Sequence, residues 1–258
     1  MNPVDWNSTY AALWRHHLQA LRPVRRLDPI RLHQLVGIER QKAELVRNTE
    51  RFLAGLPANH ALLWGARGTG KSSLLKALLN EYAARGLRLV EVDRADLLYL
   101  PEIVDAIGEQ PQRFVIFCDD LSFEAGERNY KALKTVLEGS VELPPDNVLI
   151  YATSNRRHLV PEYMEDNRAS GLVEGELHYA DAVEEKISLS DRFGLWLSFY
   201  PSNQEDYLAL VDSYFPDYAG DRAGLHAEAL RFAQSRGGAR SGRTARQFYN
   251  TYSERDGG

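Results

Sequence analysis

The sequence predicts an α/β fold in which helices cover both faces of a parallel β-sheet, followed by a small all-α lid. Apolar runs of strand length alternate with helical patterns over most of the chain. The runs at 114–118 and 147–153 are apolar almost throughout, as expected for parallel strands buried on both faces. From residue 203 onward the pattern is helical without strands.

The first 34 residues are expected to form a helix and a basic connector. Tyr10, Leu13, Trp14 and Leu21 recur at helical spacing and predict a helix over about 8–21. Residues 22–31 are rich in arginine and proline and predict an extended connector. This connector is interpreted as a solvated linker, with a docking surface for a partner or for nucleic acid as the alternative.

Residues 35–200 are expected to form the α/β domain, and residues 201–258 the helical lid. The predicted strands of the α/β domain are 61–64, 87–92, 114–118, 147–153 and 195–199. Its predicted helices are 39–53, 71–85, 95–107 and 130–137, and three further helices are expected in the lid. Because strands and helices alternate, right-handed crossovers should bring the carboxyl ends of the strands to one edge.

A glycine-rich motif lies between the strand at 61–64 and the helix that follows it. Its residues are Gly65-Ala66-Arg67-Gly68-Thr69-Gly70-Lys71-Ser72-Ser73, which contain the spacing GxxxxGK[ST] of a P-loop. The glycines let backbone N–H groups converge on phosphate oxygens, and the helix adds its positive N-terminal end. Lys71 can reach the terminal phosphates, and the Ser72 hydroxyl can ligate Mg²⁺. The motif therefore predicts a site for a nucleoside triphosphate.

Polar side chains follow the two strands predicted at 114–118 and 147–153. Asp119 is predicted to hold Mg²⁺ together with Ser72, since a carboxylate ending a buried strand needs a cation. Asp120 is then placed to orient or deprotonate an attacking water. Asn155, after the neighbouring strand, can hold the same water or the terminal phosphate. The alternatives are an acidic turn for the two aspartates and a simple turn former for Asn155.

Two further arginine sites are candidates for contacts with phosphate. Arg243 and Arg246 lie at the start of the last predicted helix, where cations oppose the helix dipole unless an anion binds there. Arg192 lies beyond the predicted sheet edge and can reach a nucleotide in a neighbouring subunit as an arginine finger. An intramolecular salt bridge is the alternative for Arg192, and a solvated loop is the alternative for Arg243.

Composition narrows the class of protein. The chain has 258 residues and a net charge of −5, which argues against a generally basic, nucleic-acid-coating protein. Its single cysteine, Cys118, fits a reducing compartment. We find no long apolar run of membrane-spanning length and no secretory signal pattern, so a cytoplasmic location is expected. The scattered histidines lack zinc-site spacing.

In this order, the motifs resemble those of AAA+ P-loop ATPases over about residues 35–252. Leu35-Val36-Gly37-Ile38 resembles the adenine-side segment, and the P-loop resembles Walker A. The resemblance implies Walker B at 114–120, sensor 1 at Asn155, an arginine finger at Arg192 and sensor 2 at Arg243, with Arg246 as the other candidate. Runs such as Leu62-Leu63-Trp64-Gly65 and Phe117-Cys118-Asp119-Asp120-Leu121 are also similar to a bacterial ATP-binding family, domain of unknown function 815.

The resemblance implies an ATPase that uses ATP and Mg²⁺, forms a nucleotide-dependent homo-oligomer, and remodels or loads a protein or nucleic-acid client. Two residues depart from the superfamily pattern. Ala66 and Arg67 replace common prolines, and Asp120 replaces the usual glutamate, which is one methylene longer. The shorter side chain is compatible with slow turnover. An ATP-binding switch with little hydrolysis and a P-loop small-molecule kinase are the alternatives.

Overall fold

The computed structural model describes residues 4–122, 129–139, 143–155, 189 and 191–252. Strands in this part of the chain are β1 Ala11–Arg15, β2 Ala20–Pro23, β3 Ala61–Gly65, β4 Leu87–Val92, β5 Arg113–Cys118, β6 Val148–Ser154 and β7 Leu195–Phe199. The α-helices are α1 Glu39–Leu53, α2 Lys71–Tyr82, α3 Leu100–Gly108, α4 Asn129–Glu138, α5 Gln204–Tyr214, α6 Arg222–Ser235 and α7 Gly242–Tyr252.

The described strands form one sheet in the order β2-β1-β4-β5-β6-β3-β7. The β1–β2 pair is antiparallel, and every other neighbouring pair in this order is parallel. Because β5, β6 and β3 are adjacent, their carboxyl ends meet at one edge. The predicted α/β fold is confirmed, and its C-terminal helices are present.

Each face of the sheet carries its own hydrophobic core, and β4 shows why. Val90 and Val92 pack on one face with residues of α3 and α4, whereas Leu87 and Leu89 pack on the other face with residues of α1 and α2. Successive side chains of a strand point to opposite faces, so a strand buried on both sides is apolar throughout.

The C-terminal helices α5, α6 and α7 have a third core of their own. Phe215 and Phe248 lie with ring centroids 6.0 Å apart, and the buried Tyr207 hydroxyl donates to the Ala229 carbonyl oxygen over 3.1 Å. Asn203 begins α5 by accepting from the Asp206 N–H, as an N-cap residue does. No helix in the described part of the chain is long and apolar enough to cross a membrane.

The helix predicted over about 8–21 is wrong. This region forms β1, a short 3₁₀ turn and β2, which join the sheet edge beside β4. Ala12 and Trp14 enter the core on one face, while Ala11 enters the core on the other. Pairing with β4 overrides the local helical spacing, because β4 offers backbone partners that a helix cannot use. The other predicted domain boundaries remain predictions.

The basic connector after β2 is docked on the α/β core. The Asn80 side chain, on α2, donates to the carbonyl oxygens of Asp28 and Ile30 over 2.7 Å each. Arg31 donates in return to the Asn80 carbonyl oxygen over 2.9 Å. Lys76, one turn earlier on α2, pairs with Asp28 over 3.6 Å. These contacts hold the connector beside the helix that begins at the P-loop.

Candidate nucleotide site

A cavity of about 680 Å³ opens at the edge where β3, β5 and β6 end, between the sheet and the C-terminal helices. The predicted site residues that line it are Val36, Arg67, Gly68, Thr69, Gly70, Lys71, Ser72, Ser73, Asp119, Asp120, Asn155 and Arg243. One fold thus brings together side chains from the P-loop, two strand ends and the lid, although they lie far apart in the sequence.

The P-loop has a backbone that only glycine supports at its first position. Gly65 has a φ of +131°, and a Cβ added there would lie 1.9 Å from the Phe199 carbonyl oxygen. The next residue, Ala66, donates its N–H to that same oxygen over 3.1 Å. The end of β7 therefore packs directly against the start of the loop, and this close approach requires the missing side chain.

Lys71 is buried at the base of the cavity. Its Nζ donates to the carbonyl oxygens of Gly65 and Ala66 over 2.8 and 2.7 Å, and to Asn155 Oδ1 over 3.3 Å. Burial lowers the pKa of Lys71, and the carboxylates of Asp119 and Asp120 oppose that shift. The ammonium is therefore held beside two carboxylates at the point where α2 begins.

Ser72 and Asp119 form the pair expected for Mg²⁺. The Ser72 hydroxyl donates to Asp119 Oδ1 over 2.7 Å, so the first turn of α2 touches the end of β5. Hydroxyl and carboxylate oxygens are the hard ligands that Mg²⁺ takes, together with phosphate oxygens and water. By the chemistry of these donors the two residues fit the ion, and both would hold it.

Asp120 and Asn155 are also in contact. The Asn155 side-chain amide donates to Asp120 Oδ1. Asp120 has a φ of +52°, in the left-handed region that a non-glycine residue seldom occupies and that aspartate tolerates better than most. Its carboxylate therefore lies beside the amide of Asn155, which in turn accepts from Lys71. The predicted water-handling residues form one connected group.

Sequence reasoning missed Thr153, which lines the cavity from the end of β6. The Thr153 hydroxyl contacts both the Asp119 side chain and the Asp120 backbone. A threonine in an apolar strand is ordinary in composition, so its own sequence signal is weak. Its position two residues before Asn155, on the strand next to β5, is the signal that could have identified it.

Helix α7 contributes arginines from its first two turns. Arg243 and Arg246 both line the cavity. A Cβ added to Gly68 would lie 3.6 Å from the Arg243 Cβ, so Arg243 is next to the P-loop. Arg246 is instead near Tyr214: burial raises the pKa of that tyrosine, and the charge of Arg246 opposes the shift. Arg243 is thus placed beside the P-loop, and Arg246 is placed near α5.

The cavity lining also includes apolar side chains. Leu35, Val36 and Ile38 come from the segment before α1, and Leu210 and Tyr214 come from α5. Ile38 also lies next to the P-loop, because a Cβ added to Gly70 would be 3.4 Å from its Cδ1. Leu210 and Tyr214 of α5 and the connector residues Asp28, Ile30 and Gln34, which also line the cavity, were not among the predicted site residues. Nothing in their local sequence marks them, because tertiary packing alone brings them there.

Four predicted site residues lie outside this lining. Gly65 ends β3 and Ala66 follows it, and a Cβ on Gly37 would lie 3.1 Å from the Asp206 Cγ. Arg192 forms an ion pair with Glu138 on α4, so the intramolecular alternative for this residue is present in the structure. Its role toward a neighbouring subunit stays a prediction.

Solved structures share this architecture. RuvB of Thermotoga maritima, a Holliday junction branch migration motor, is 16% identical with a TM-score of 0.55, and the match covers 86% of this chain and 63% of that one. Its P216G mutant has 16% identity, a TM-score of 0.58 and coverages of 87% and 65%. Orc1 of Aeropyrum pernix, in complex with DNA, has 15% identity, a TM-score of 0.56 and coverages of 82% and 58%.

The chain thus spans less than two thirds of the length of each of these three solved chains. At such identities the likeness shows the fold, which is that of AAA+ P-loop ATPases, as the motifs predicted. No curated protein matches the chain. The family model "Protein of unknown function (DUF815)" matches residues 7–256, nearly the whole sequence, and the chain therefore belongs to this family.

Proposed function

We propose that the protein binds ATP with Mg²⁺ and hydrolyses it to ADP and phosphate. The observation that carries this proposal is the continuous set of contacts from Ser72 and Lys71 to Asp119, Asn155 and Asp120. The proposal is supported by the meeting of the P-loop, the Ser72 and Asp119 oxygens and the Asp120–Asn155 pair in one cavity, whose lining also includes apolar side chains.

Each residue has a separate task in this scheme. Backbone N–H groups of the P-loop and the Lys71 ammonium bind the β- and γ-phosphates, while Ser72 and Asp119 hold the metal. When bound, Mg²⁺ neutralises charge that develops on the phosphate oxygens. Asp120 accepts a proton from water as the water oxygen attacks the γ-phosphorus, and the bond from phosphorus to the ADP oxygen breaks. Asn155 orients that water.

Two variants separate binding from hydrolysis. Lys71→Ala removes the ammonium that faces the phosphates, so calorimetry should show much weaker binding of ATP with Mg²⁺, and no turnover should remain. Asp120→Asn keeps the size of the side chain and its contact with Asn155 but cannot accept the proton. It should bind ATP like the wild type and release phosphate far more slowly. Full ATPase activity in Lys71→Ala would contradict the proposal.

A switch that binds ATP with little hydrolysis is the second candidate. It is favoured by Asp120, whose carboxylate is shorter than glutamate and already accepts from Asn155. Single-turnover measurement distinguishes the two: rapid phosphate release that collapses in Asp120→Asn supports the ATPase, whereas a slow rate that this substitution leaves unchanged supports the switch.

We further propose that the protein forms a nucleotide-dependent homo-oligomer that remodels or loads a client. A subunit that needs Arg192 of its neighbour would hydrolyse ATP faster per subunit as the protein concentration rises.

Since the Holliday junction motor RuvB and the DNA-bound Orc1 share the fold, DNA is the first client to test, as a stimulator of the ATPase rate. Mass measurement with and without ATP and Mg²⁺ tests the assembly.

A further inference from the structure

Thr153 lies on β6, between β3, which leads into the P-loop, and β5, which leads into Asp119 and Asp120. Its β6 position is opposite Leu63 of β3, and β6 pairs on its other side with β5. The residue is 1% exposed, so its hydroxyl must find partners inside the protein.

The Thr153 hydroxyl makes two hydrogen bonds of opposite sense. It donates to Asp119 Oδ1 over 2.5 Å and accepts from the Asp120 N–H over 2.9 Å. A hydroxyl has one proton to donate, and an ionised carboxylate only accepts. The direction of both bonds is therefore fixed: the proton points at Asp119, and a lone pair faces the Asp120 backbone.

The Thr153 backbone adds a third contact to the same turn. Its carbonyl oxygen accepts from the Leu121 N–H over 2.6 Å. Side chain and backbone together thus hold residues 119–121, including Asp120 in its left-handed conformation. This conformation is uncommon for a residue with a side chain and persists where its surroundings hold it.

We propose that Thr153 is a positioning residue that sets both aspartates for metal binding and catalysis; the inference rests on the proposed function and names a new part of it. Ser72 and Thr153 both donate to Asp119 Oδ1, and in the described part of the chain no hydrogen bond reaches Oδ2. The carboxylate is thus clamped by one oxygen, and the other is left to meet a cation. The bond to the Asp120 N–H fixes the turn from which the Asp120 carboxylate extends toward Asn155.

Thr153→Val and Thr153→Ser form the matched test. Valine has nearly the same shape but no hydroxyl, whereas serine keeps the hydroxyl and loses a methyl group. The Thr153→Val variant should have a kcat about 10–100-fold lower than the wild type. It should also need about tenfold more Mg²⁺ for half-maximal ATP binding. Losses of this size are typical when a metal ligand loses its supporting hydrogen bond. The KM for ATP at saturating Mg²⁺ should stay within about twofold. The Thr153→Ser variant should match the wild type in kcat and in its Mg²⁺ requirement.

A merely structural threonine predicts a different pattern. Either variant would then unfold at a lower temperature, yet kcat per folded molecule and the Mg²⁺ requirement would match the wild type. That result, or a serine variant as impaired as valine, overturns the proposal. A crystal structure of Thr153→Val provides a readout other than activity: the φ of Asp120 should leave the left-handed region, and an unchanged turn counts against the role.

The wild type separates this proposal from the proposed function. If the wild type binds ATP but does not hydrolyse it, the proposed ATPase activity is wrong. Calorimetry of ATP binding at a series of Mg²⁺ concentrations still decides the role of Thr153 at Asp119. If it binds no ATP in the presence of Mg²⁺, both proposals fall together.

Discussion

Lys71 Nζ and Asn155 Oδ1 lie 3.3 Å apart and are joined by a hydrogen bond, so the start of α2 contacts the tip of β6 directly. The Asn155 side chain uses both of its ends, since its amide nitrogen donates to Asp120. Asn155 is therefore hydrogen-bonded both to Lys71 and to Asp120, the proposed general base.

Asn155→Ala should lower kcat by about 100-fold, the loss typical for one preorganised polar group at a reacting centre, with ATP affinity little changed. Asn147 is the matched control, because it precedes the first residue of the same strand and binds the carbonyl oxygens of Ile107, Gln110 and Gln112. Asn147→Ala should lower stability, seen by urea unfolding, without lowering kcat per folded molecule. Equal kcat losses in both variants would argue that Asn155 is only structural.

Arg243→Ala and Arg246→Ala should have different effects on ligand binding. Since Arg243 is next to Gly68 of the P-loop, its loss should weaken ATP binding by roughly tenfold and AMP binding hardly at all, as expected for a charged hydrogen bond to a distal phosphate. Arg246 is near Tyr214 instead, so its loss should weaken the binding of ATP and the binding of AMP to the same extent. Calorimetric titration of each variant with the two nucleotides decides which arginine acts as sensor 2, and the reverse pattern assigns it to Arg246.

Arg192→Ala and Glu138→Gln should separate the two roles of Arg192. Both substitutions break the ion pair that joins these residues, and a partly exposed pair contributes about 1 kcal/mol or less to stability. If Arg192 also serves a neighbouring subunit, Arg192→Ala alone should lower the ATPase rate, by roughly 10³-fold at concentrations where the protein assembles. Glu138→Gln should then keep the rate or raise it, because it releases the arginine. Equal rates for both variants and the wild type would rule out the arginine finger.

Acid should destabilise the protein through His60. Its Nδ1 accepts from the Ile150 N–H over 2.9 Å, and burial lowers the pKa of His60 to about 4 from its ordinary 6.5. Between these values the unfolded chain binds a proton that the folded chain does not, so stability falls as pH drops from 6.5 to 4, by up to about 3 kcal/mol.

Urea unfolding between pH 4 and pH 7 measures this effect of His60. His60→Asn should show a shallower loss of stability in acid than the wild type, and His33→Asn, at an exposed position, should follow the wild type. Parallel profiles for the wild type and His60→Asn would show that His60 does not titrate as described.

The sequence was sufficient for the parts of the fold that depend on local pattern. The strand, loop and helix around Lys71 could be predicted because the P-loop spacing is a strict requirement of phosphate geometry. The strands before Asp119 and Asn155 could be predicted because burial on both faces requires an apolar run. Their meeting at one edge followed from parallel connections alone.

The remaining parts depend on partners that are distant in sequence. Trp14 belongs to a set of apolar residues at helical spacing in the sequence. It is nevertheless in a strand, β1, because β1 pairs with β4. The positive φ of Asp120 occurs at a residue whose N–H bonds to the distant Thr153, and no local rule predicts it. Likewise, the connector residues reach the cavity because Asn80 holds the connector against α2.

The placement of β1 between β2 and β4 makes the beginning of the chain part of its interior. Trp6 packs edge-on against Phe114 with ring centroids 4.8 Å apart, and its carbonyl oxygen accepts from the buried Arg88 guanidinium over 2.7 Å. Removal of the chain through Arg15 would take away β1, the neighbour of β4, and leave backbone amides of β4 free to pair with another molecule. A shortened form is therefore expected to self-associate through that exposed border, and its Arg88 would lose the Trp6 carbonyl while keeping those of Ala83 and Leu87.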